Sequence, residues 1–115
     1  MIWVNGKLIE QEHFSAGELK IKLFGCGMGH VDIVWHYEND AELFTFFCMR
    51  DYYANHDVCL CVPCLSRARM DRVKNPEDVF TLRTFANAIN AMDFERVYVW
   101  DAHSNVGPAL IDKCV

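Results

Sequence analysis

Two short apolar runs, each followed at once by polar and charged residues, constrain the fold of this chain more than any other feature. The first run covers residues 58–62 and leads into Pro63 and a basic segment, and the second covers Arg96–Asp101 and leads into His103. Runs of this length bounded by polar residues are typical of buried strands. Ligands of open α/β sheets bind in the crevice outside the carboxyl ends of the strands. The two run ends therefore predict a site for an anionic, nucleotide-like ligand.

The other segments alternate between strand and helix patterns. The dipeptide Asn5-Gly6 predicts a tight hairpin turn. The run Asn75-Pro76-Glu77-Asp78 has the features of a helix start, with a capping asparagine, a proline in the first position and acidic residues in the first turn. We predict strands at residues 2–4, 7–9, 18–24, 31–35, 58–62 and 96–101, and helices at residues 39–53, from residue 75 onward and at 108–115.

The order of these elements predicts the fold class. A strand–helix–strand–helix–strand succession requires a mostly parallel sheet with right-handed crossovers. The length of 115 residues fits one domain, residues 1–115, and a hydrophobic content of 52% predicts a folded chain. We therefore expect a single α/β domain with an N-terminal β-hairpin.

Charge and hydropathy exclude several classes of partner. A net charge of -5 argues against nucleic acid as a ligand, because a phosphate backbone calls for an excess of Lys and Arg. The local run from Arg67 to Lys74 is nevertheless basic, which suits a phosphorylated small molecule. The N-terminus lacks the pattern of a signal peptide, and no apolar run approaches the roughly 20 residues that span a bilayer. We expect a cytoplasmic protein that binds neither nucleic acid nor a membrane.

The six cysteines and most histidines predict no site. Cys61 and Cys64 form a CxxC pair at a strand end, whereas redox chemistry needs the first cysteine at a helix N-terminus. A zinc site needs a second ligand pair at suitable spacing, and the sequence has none. We expect Cys59 and Cys61 to be reduced core residues. The histidines that show no ligand-like spacing, and that we treat as structural, are His13, His30, His36 and His56.

Four motifs, in order along the chain, together resemble a known family. They are Phe14-Ser15-Ala16-Gly17-Glu18, Asn39-Asp40, PCLSRARMDR from Pro63 and DAHSN from Asp101. The N-terminal half of the ribose-phosphate pyrophosphokinases (phosphoribosyl pyrophosphate synthetases) carries Phe-Ser-Asp-Gly-Glu, Asn-Asp before a helix, Ala-Arg-Gln-Asp-Arg/Lys and Asp-Leu-His. The chain resembles that half over most of its length.

This resemblance implies a fold and an activity. The fold is a three-layer α/β/α arrangement of the phosphoribosyltransferase type, with a mostly parallel sheet. The family transfers a diphosphate from ATP to the 1-hydroxyl of ribose 5-phosphate, with Mg²⁺ as cofactor, in nucleotide biosynthesis. Its members assemble into homo-oligomers, so we expect self-association.

The matched positions imply roles for individual side chains. Phe14 and Glu18 would contact the adenine from a neighbouring subunit. Arg69 would bind ATP near its phosphates, because a guanidinium fork suits a phosphate group. The other matched positions are Asp71 and Arg72, which would support the Arg69 loop, and His103 and Asp101, which would lie at the magnesium ion.

The chain also departs from the family pattern. Ala16 stands where the family has an aspartate that bonds adenine, and Met70 replaces a glutamine beside Arg69. The sequence contains no acidic pair leading into Thr-Gly-Gly-Thr, the family's loop for ribose phosphate. We therefore expect an ATP-binding domain that does not complete the reaction alone.

Other interpretations of the same residues stay open. One is a non-catalytic nucleotide-binding or subunit-interaction domain, and another is a fragment of a phosphoribosyltransferase, although that family's pyrophosphate-binding acidic loop is absent. Taken singly, the arginines fit a solvated loop, His103 a surface histidine and Asp101 a turn cap.

Overall fold

The computed structural model describes residues 1–25, 27, 29–64, 73–101 and 106–115. These residues form one five-stranded sheet, a separate two-stranded hairpin and three helices. The strands are β1 (Ile2–Val4), β2 (Lys7–Leu8), β3 (Gln11–His13), β4 (Leu19–Ile21), β5 (His30–Trp35), β6 (Asp57–Cys64) and β7 (Arg96–Asp101), and the helices are α1 (Ala41–Tyr52), α2 (Thr81–Ala91) and α3 (Val106–Leu110).

The centre of the main sheet is parallel. Its strand order is β2-β1-β5-β6-β7, in which β5, β6 and β7 run parallel and the β1–β2 hairpin joins antiparallel to β5. Asn5 and Gly6 form the turn of that hairpin, with φ of +48° and +82°. A turn with positive φ at both central residues matches the twist of the flanking strands. The predicted α/β class, the parallel centre and the N-terminal hairpin are confirmed.

One face of the sheet carries the core. In β5 the buried side chains are Val31, Ile33 and Trp35, which alternate with residues on the opposite face. The Trp35 ring lies 4.3 Å from the ring of Phe46 in α1 and 5.6 Å from that of Phe85 in α2, measured between centroids. Both crossover helices therefore pack on the Trp35 face, as two right-handed crossovers in the same direction require.

The second face of the sheet is much more exposed. Asp32 of β5 and Tyr98 of β7 are exposed, and Trp100 at the end of β7 is 82% exposed. The buried side chains of α1 and α2 belong to the core on the first face. A helix layer on the second face, which a three-layer arrangement requires, stays a prediction.

The start of α2 differs from the sequence prediction. Asn75 does not cap a helix, because residues 75–78 form a turn in which the Asp78 N–H donates to the Asn75 carbonyl at 3.0 Å. The Asp78 carboxylate also accepts a hydrogen bond from the Asn75 N–H at 3.1 Å, which stabilises this turn. The helix begins at Thr81 instead. Its predicted apolar stripe is buried and comprises Leu82, Phe85, Ala86, Ile89 and Met92.

Two further predicted elements have different bounds, and one strand was not predicted. The predicted strand at 18–24 is paired only at Leu19–Ile21, and its partner Gln11–His13 has no apolar alternation by which to predict it. The predicted helix at 108–115 is replaced by Val106–Leu110, after which Cys114 forms a parallel bridge with Val97.

None of the helices in the described ranges is long and apolar enough to cross a bilayer.

A buried carboxylate organises the start of α1. Glu42 is 2% exposed. Its carboxylate accepts three hydrogen bonds, from the Met1 ammonium at 2.7 Å, the Glu38 N–H at 2.6 Å and the Asn39 N–H at 3.2 Å. Burial alone would raise the pKa of Glu42, but these hydrogen bonds outweigh it and hold the pKa below the ordinary value of 4.5. A carboxyl group with a depressed pKa stabilises the folded state above its unfolded pKa, and this contribution is lost as the pH falls through the folded pKa.

We expect Glu42→Gln to lower the free energy of unfolding at pH 7 by about 2 kcal/mol, because charge-assisted hydrogen bonds become neutral ones. The difference from the wild type should shrink as the pH falls below 4.5 and the wild-type carboxylate takes up a proton. Urea denaturation at pH 7 and pH 3.5 measures both effects. The exposed Glu77→Gln is the control, and equal stability of Glu42→Gln and wild type at pH 7 would contradict this role.

Candidate functional site

The carboxyl edge of the parallel strands brings together the two segments that the sequence singled out. Cys64 and Asp101, the last residues of β6 and β7, are direct partners in the parallel ladder. Adjacent strands lie about 4.8 Å apart, so the segments 65–72 and 102–105 start from neighbouring points. Both end residues are exposed. Ligands of open α/β sheets bind outside the carboxyl ends of the strands, so the predicted site would lie at this edge.

Several predicted site residues lie outside the described residues. They are Arg69, Asp71, Arg72 and His103, and with them Met70. Their contacts with a nucleotide or a metal stay predictions. Asp101 is described, and it is the last residue of β7, at the exposed carboxyl edge.

Phe14 and Glu18 share the tip of the β3–β4 hairpin. The Phe14 N–H donates to the Glu18 carbonyl and the Gly17 N–H donates to the Phe14 carbonyl, both at 2.8 Å. Gly17 has a φ of +91°, which L side chains rarely adopt, so the tight tip depends on this glycine. The Phe14 ring is 53% exposed, and the Lys20 ammonium lies 5.5 Å from its centroid. The tip therefore presents an aromatic face between a cation and an acidic residue.

The hairpin belongs to a different sheet from Asp101. The exposed Phe14 ring lies on this hairpin and is accessible to another molecule.

An open apolar groove lies between β4 and α1. Its volume is about 250 Å³. Phe44 and Tyr52, on the outward side of α1, are 56% and 54% exposed. The complete lining is Leu19, Ile21, Leu23, Phe44, Cys48 and Tyr52.

The amino edge of the sheet carries a second polar cluster. His30 Nε2 lies 2.7 Å from Asp32 Oδ1, and Glu95 Oε2 lies 3.7 Å from His30 Nδ1 and 3.8 Å from Cys59 Sγ. Cys59 is 7% exposed, whereas the three other side chains are open to solvent. Burial raises the pKa of the Cys59 thiol, and the nearby charges of Glu95 and Asp32 raise it further.

Sequence reasoning missed this cluster and treated His30 as structural and Cys59 as a core residue. Cys59 is buried as predicted. The four residues come from three strand ends, so no short spacing connects them in the sequence. Their proximity follows from the ladder, in which Asp32 is the direct partner of Cys59 and Cys59 of Arg96. Only the strand pairing could have revealed it.

Comparison with known proteins gives a likeness in fold. No protein-family model and no curated protein sequence matches the chain. The crystal structure of phosphoribosylpyrophosphate synthetase from Mycobacterium smegmatis is similar, with a TM-score of 0.73 and 15% sequence identity over 94% of this chain. The match covers 38% of the synthetase chain. At this identity the likeness shows the fold alone, and the chain thus has the fold of one part of a phosphoribosylpyrophosphate synthetase.

Proposed function

We propose that this chain is the ATP-binding part of a ribose-phosphate pyrophosphokinase-like protein, with the nucleotide at the carboxyl edge between β6 and β7. The observation that carries the proposal is the pairing of Cys64 with Asp101, which starts the two motif segments from adjacent strand ends. The likeness in fold to phosphoribosylpyrophosphate synthetase supports it, because the four sequence motifs separately resemble the same family. A third layer over the exposed sheet face and a cytoplasmic location belong to the same proposal.

The basic segment after β6 supplies the phosphate contacts in this proposal. Arg69 binds the phosphates directly, and Asp71 and Arg72 hold its loop. Guanidinium groups suit this task because they stay charged and form paired hydrogen bonds with phosphate oxygens. The chain is acidic overall, at a net charge of -5, so a local basic segment is needed to attract an anionic ligand.

Magnesium is held at the end of β7. Asp101 is exposed at the carboxyl edge and offers the carboxylate oxygen that Mg²⁺ prefers, so this residue fits the ion. His103 lies two residues further along the chain and supports the ion's waters or the phosphates, since imidazole is a less usual ligand of Mg²⁺. When bound, the ion neutralises charge on the phosphates.

The adenine is bound by the hairpin tip of a neighbouring subunit. The exposed Phe14 ring stacks on the base, and Glu18 lies beside it in the same turn. Ala16 occupies the tip without a hydrogen-bonding side chain, so adenine recognition depends on stacking more than it does in the family. This arrangement makes nucleotide binding dependent on assembly of a homo-oligomer.

The diphosphate transfer itself needs more than these residues. The chain spans 38% of the length of the synthetase that it resembles in fold, and it has no Thr-Gly-Gly-Thr loop. The proposal therefore covers nucleotide binding and assigns no ribose 5-phosphate site to these residues.

A second candidate function is subunit interaction without catalysis. The apolar groove between β4 and α1 favours it, because Phe44 and Tyr52 on its rim are more than half exposed. Exposed apolar patches of this kind mark interaction sites in soluble proteins. Both candidates require self-association, and nucleotide binding distinguishes them.

We expect the chain to bind Mg²⁺-ATP in isothermal titration calorimetry. Arg69→Ala should weaken binding about 10- to 100-fold, because hydrogen bonds between a guanidinium and a phosphate are lost. Arg96→Ala is the matched control, since Arg96 is an exposed arginine at the other end of β7. Absence of binding by the wild type, or equal loss in both variants, would contradict the nucleotide site.

We expect self-association through the apolar groove. Phe44→Ser should weaken it at least about tenfold, because a large aromatic anchor is removed from the contact. Sedimentation velocity over a concentration series measures the change. Phe47→Ser is the control, since Phe47 is an exposed aromatic of the same helix that does not line the groove. A wild type that stays monomeric at high concentration would show that the groove is not a subunit contact.

A further inference from the structure

We propose that the amino edge of the sheet holds a site for a thiophilic divalent cation such as Zn²⁺, with His30, Asp32 and Cys59 as ligands. The ligand atoms of these three residues all lie within 4.8 Å of one another. The Glu95 carboxylate lies beside the site, 3.8 Å from the Cys59 sulfur and 3.7 Å from His30 Nδ1. The site is separate from the nucleotide site, which lies at the opposite ends of the same strands.

A tetrahedral ion needs only small adjustments of the three ligands. Zinc bonds of 2.0–2.3 Å in tetrahedral geometry place ligand atoms about 3.3–3.8 Å apart. The ligand atoms of His30, Asp32 and Cys59 already lie within 4.8 Å of one another. The 2.7 Å contact between His30 and Asp32 is a hydrogen bond, which must lengthen by about 1 Å when both residues coordinate. Both side chains are half-exposed or more, so small rotations achieve this.

The backbone holds the donors in place. The ladder pairs Asp32 directly with Cys59, so both side chains project from the same face of adjacent strands. The Asp32 N–H donates to Asn5 Oδ1 and its carbonyl accepts the Asn5 N–H, both at 2.8 Å. The Glu95 N–H donates to the Val58 carbonyl at 2.8 Å. Hydrogen-bonded backbone at three points means that little ordering is needed when an ion binds.

The cluster is acidic. Two carboxylates and a thiol lie around one imidazole, and a divalent ion bound to His30, Asp32 and Cys59 would offset part of that negative charge. The mixture of sulfur, nitrogen and oxygen selects zinc over Mg²⁺ or Ca²⁺, which prefer oxygen alone.

Three protein ligands leave the fourth position of a tetrahedral zinc ion open to water. The ligands come from β5 and β6. The ion would therefore link these two parallel strands near their amino ends. Zinc at a hundredfold excess over its Kd should raise the Tm by about 10 °C, because an ion that binds only the folded state stabilises it.

Cobalt substitution tests the site on the whole chain. Titration with CoCl₂ should give one equivalent bound and the charge-transfer absorption of a cobalt–thiolate bond. Cys59→Ser should abolish that absorption, whereas Cys61→Ser should retain it. Cys61 is the matched control because it lies two residues further along the same strand, on the same face. Absence of the band in the wild type would overturn the proposal, and so would its persistence in Cys59→Ser.

Variants of the exposed ligands keep the test informative if Cys59→Ser does not fold. Asp32→Asn and His30→Gln change exposed side chains, and each should weaken Zn²⁺ binding at least tenfold in calorimetry with an unchanged circular dichroism spectrum. Zn²⁺ should also slow alkylation of Cys59 but not of the exposed Cys64. Unchanged affinity in both variants would overturn the proposal, as would protection of Cys64 in place of Cys59.

Discussion

The register of the parallel ladder formed by β5, β6 and β7 determines both the core and the sites of this protein. A shift by one residue would turn Val31, Ile33 and Trp35 out to solvent, because neighbouring side chains of a strand point to opposite faces. Burial of those side chains therefore fixes the register. The same register pairs Cys64 with Asp101 at one edge and Asp32 with Cys59 at the other.

The two edges of the sheet offer different chemistry. The carboxyl edge combines an exposed carboxylate at Asp101 with a basic segment in the sequence, which suits a magnesium-bound phosphate. The amino edge combines a buried thiol with an imidazole and two carboxylates, which suits a softer ion. The edges are about 16 Å apart along β5, whose six residues rise about 3.3 Å each. One apolar core thus separates the two polar edges, at which the two proposed sites lie.

Local patterns predicted the parts of the fold that depend on local physics. The Asn5-Gly6 turn was predicted because a turn type is visible in two residues. The helix start predicted at Asn75 was wrong, because residues 75–78 form a turn and the helix begins at Thr81. The cluster around Cys59 could not be predicted, because its members meet only through strand pairing between distant residues.

The motif segments were visible in the sequence, and the ladder pairs Cys64 with Asp101, the residues that precede them. The central claim is that Mg²⁺-ATP binds at this edge. The most direct test is the amide NMR spectrum during titration with Mg²⁺-ATP. The account predicts shifts concentrated at Cys64, Asp101 and the residues that follow each of them, with Asp57 and Arg96 at the opposite edge unmoved. An unchanged spectrum, or shifts concentrated at Asp57 and Arg96, would contradict it.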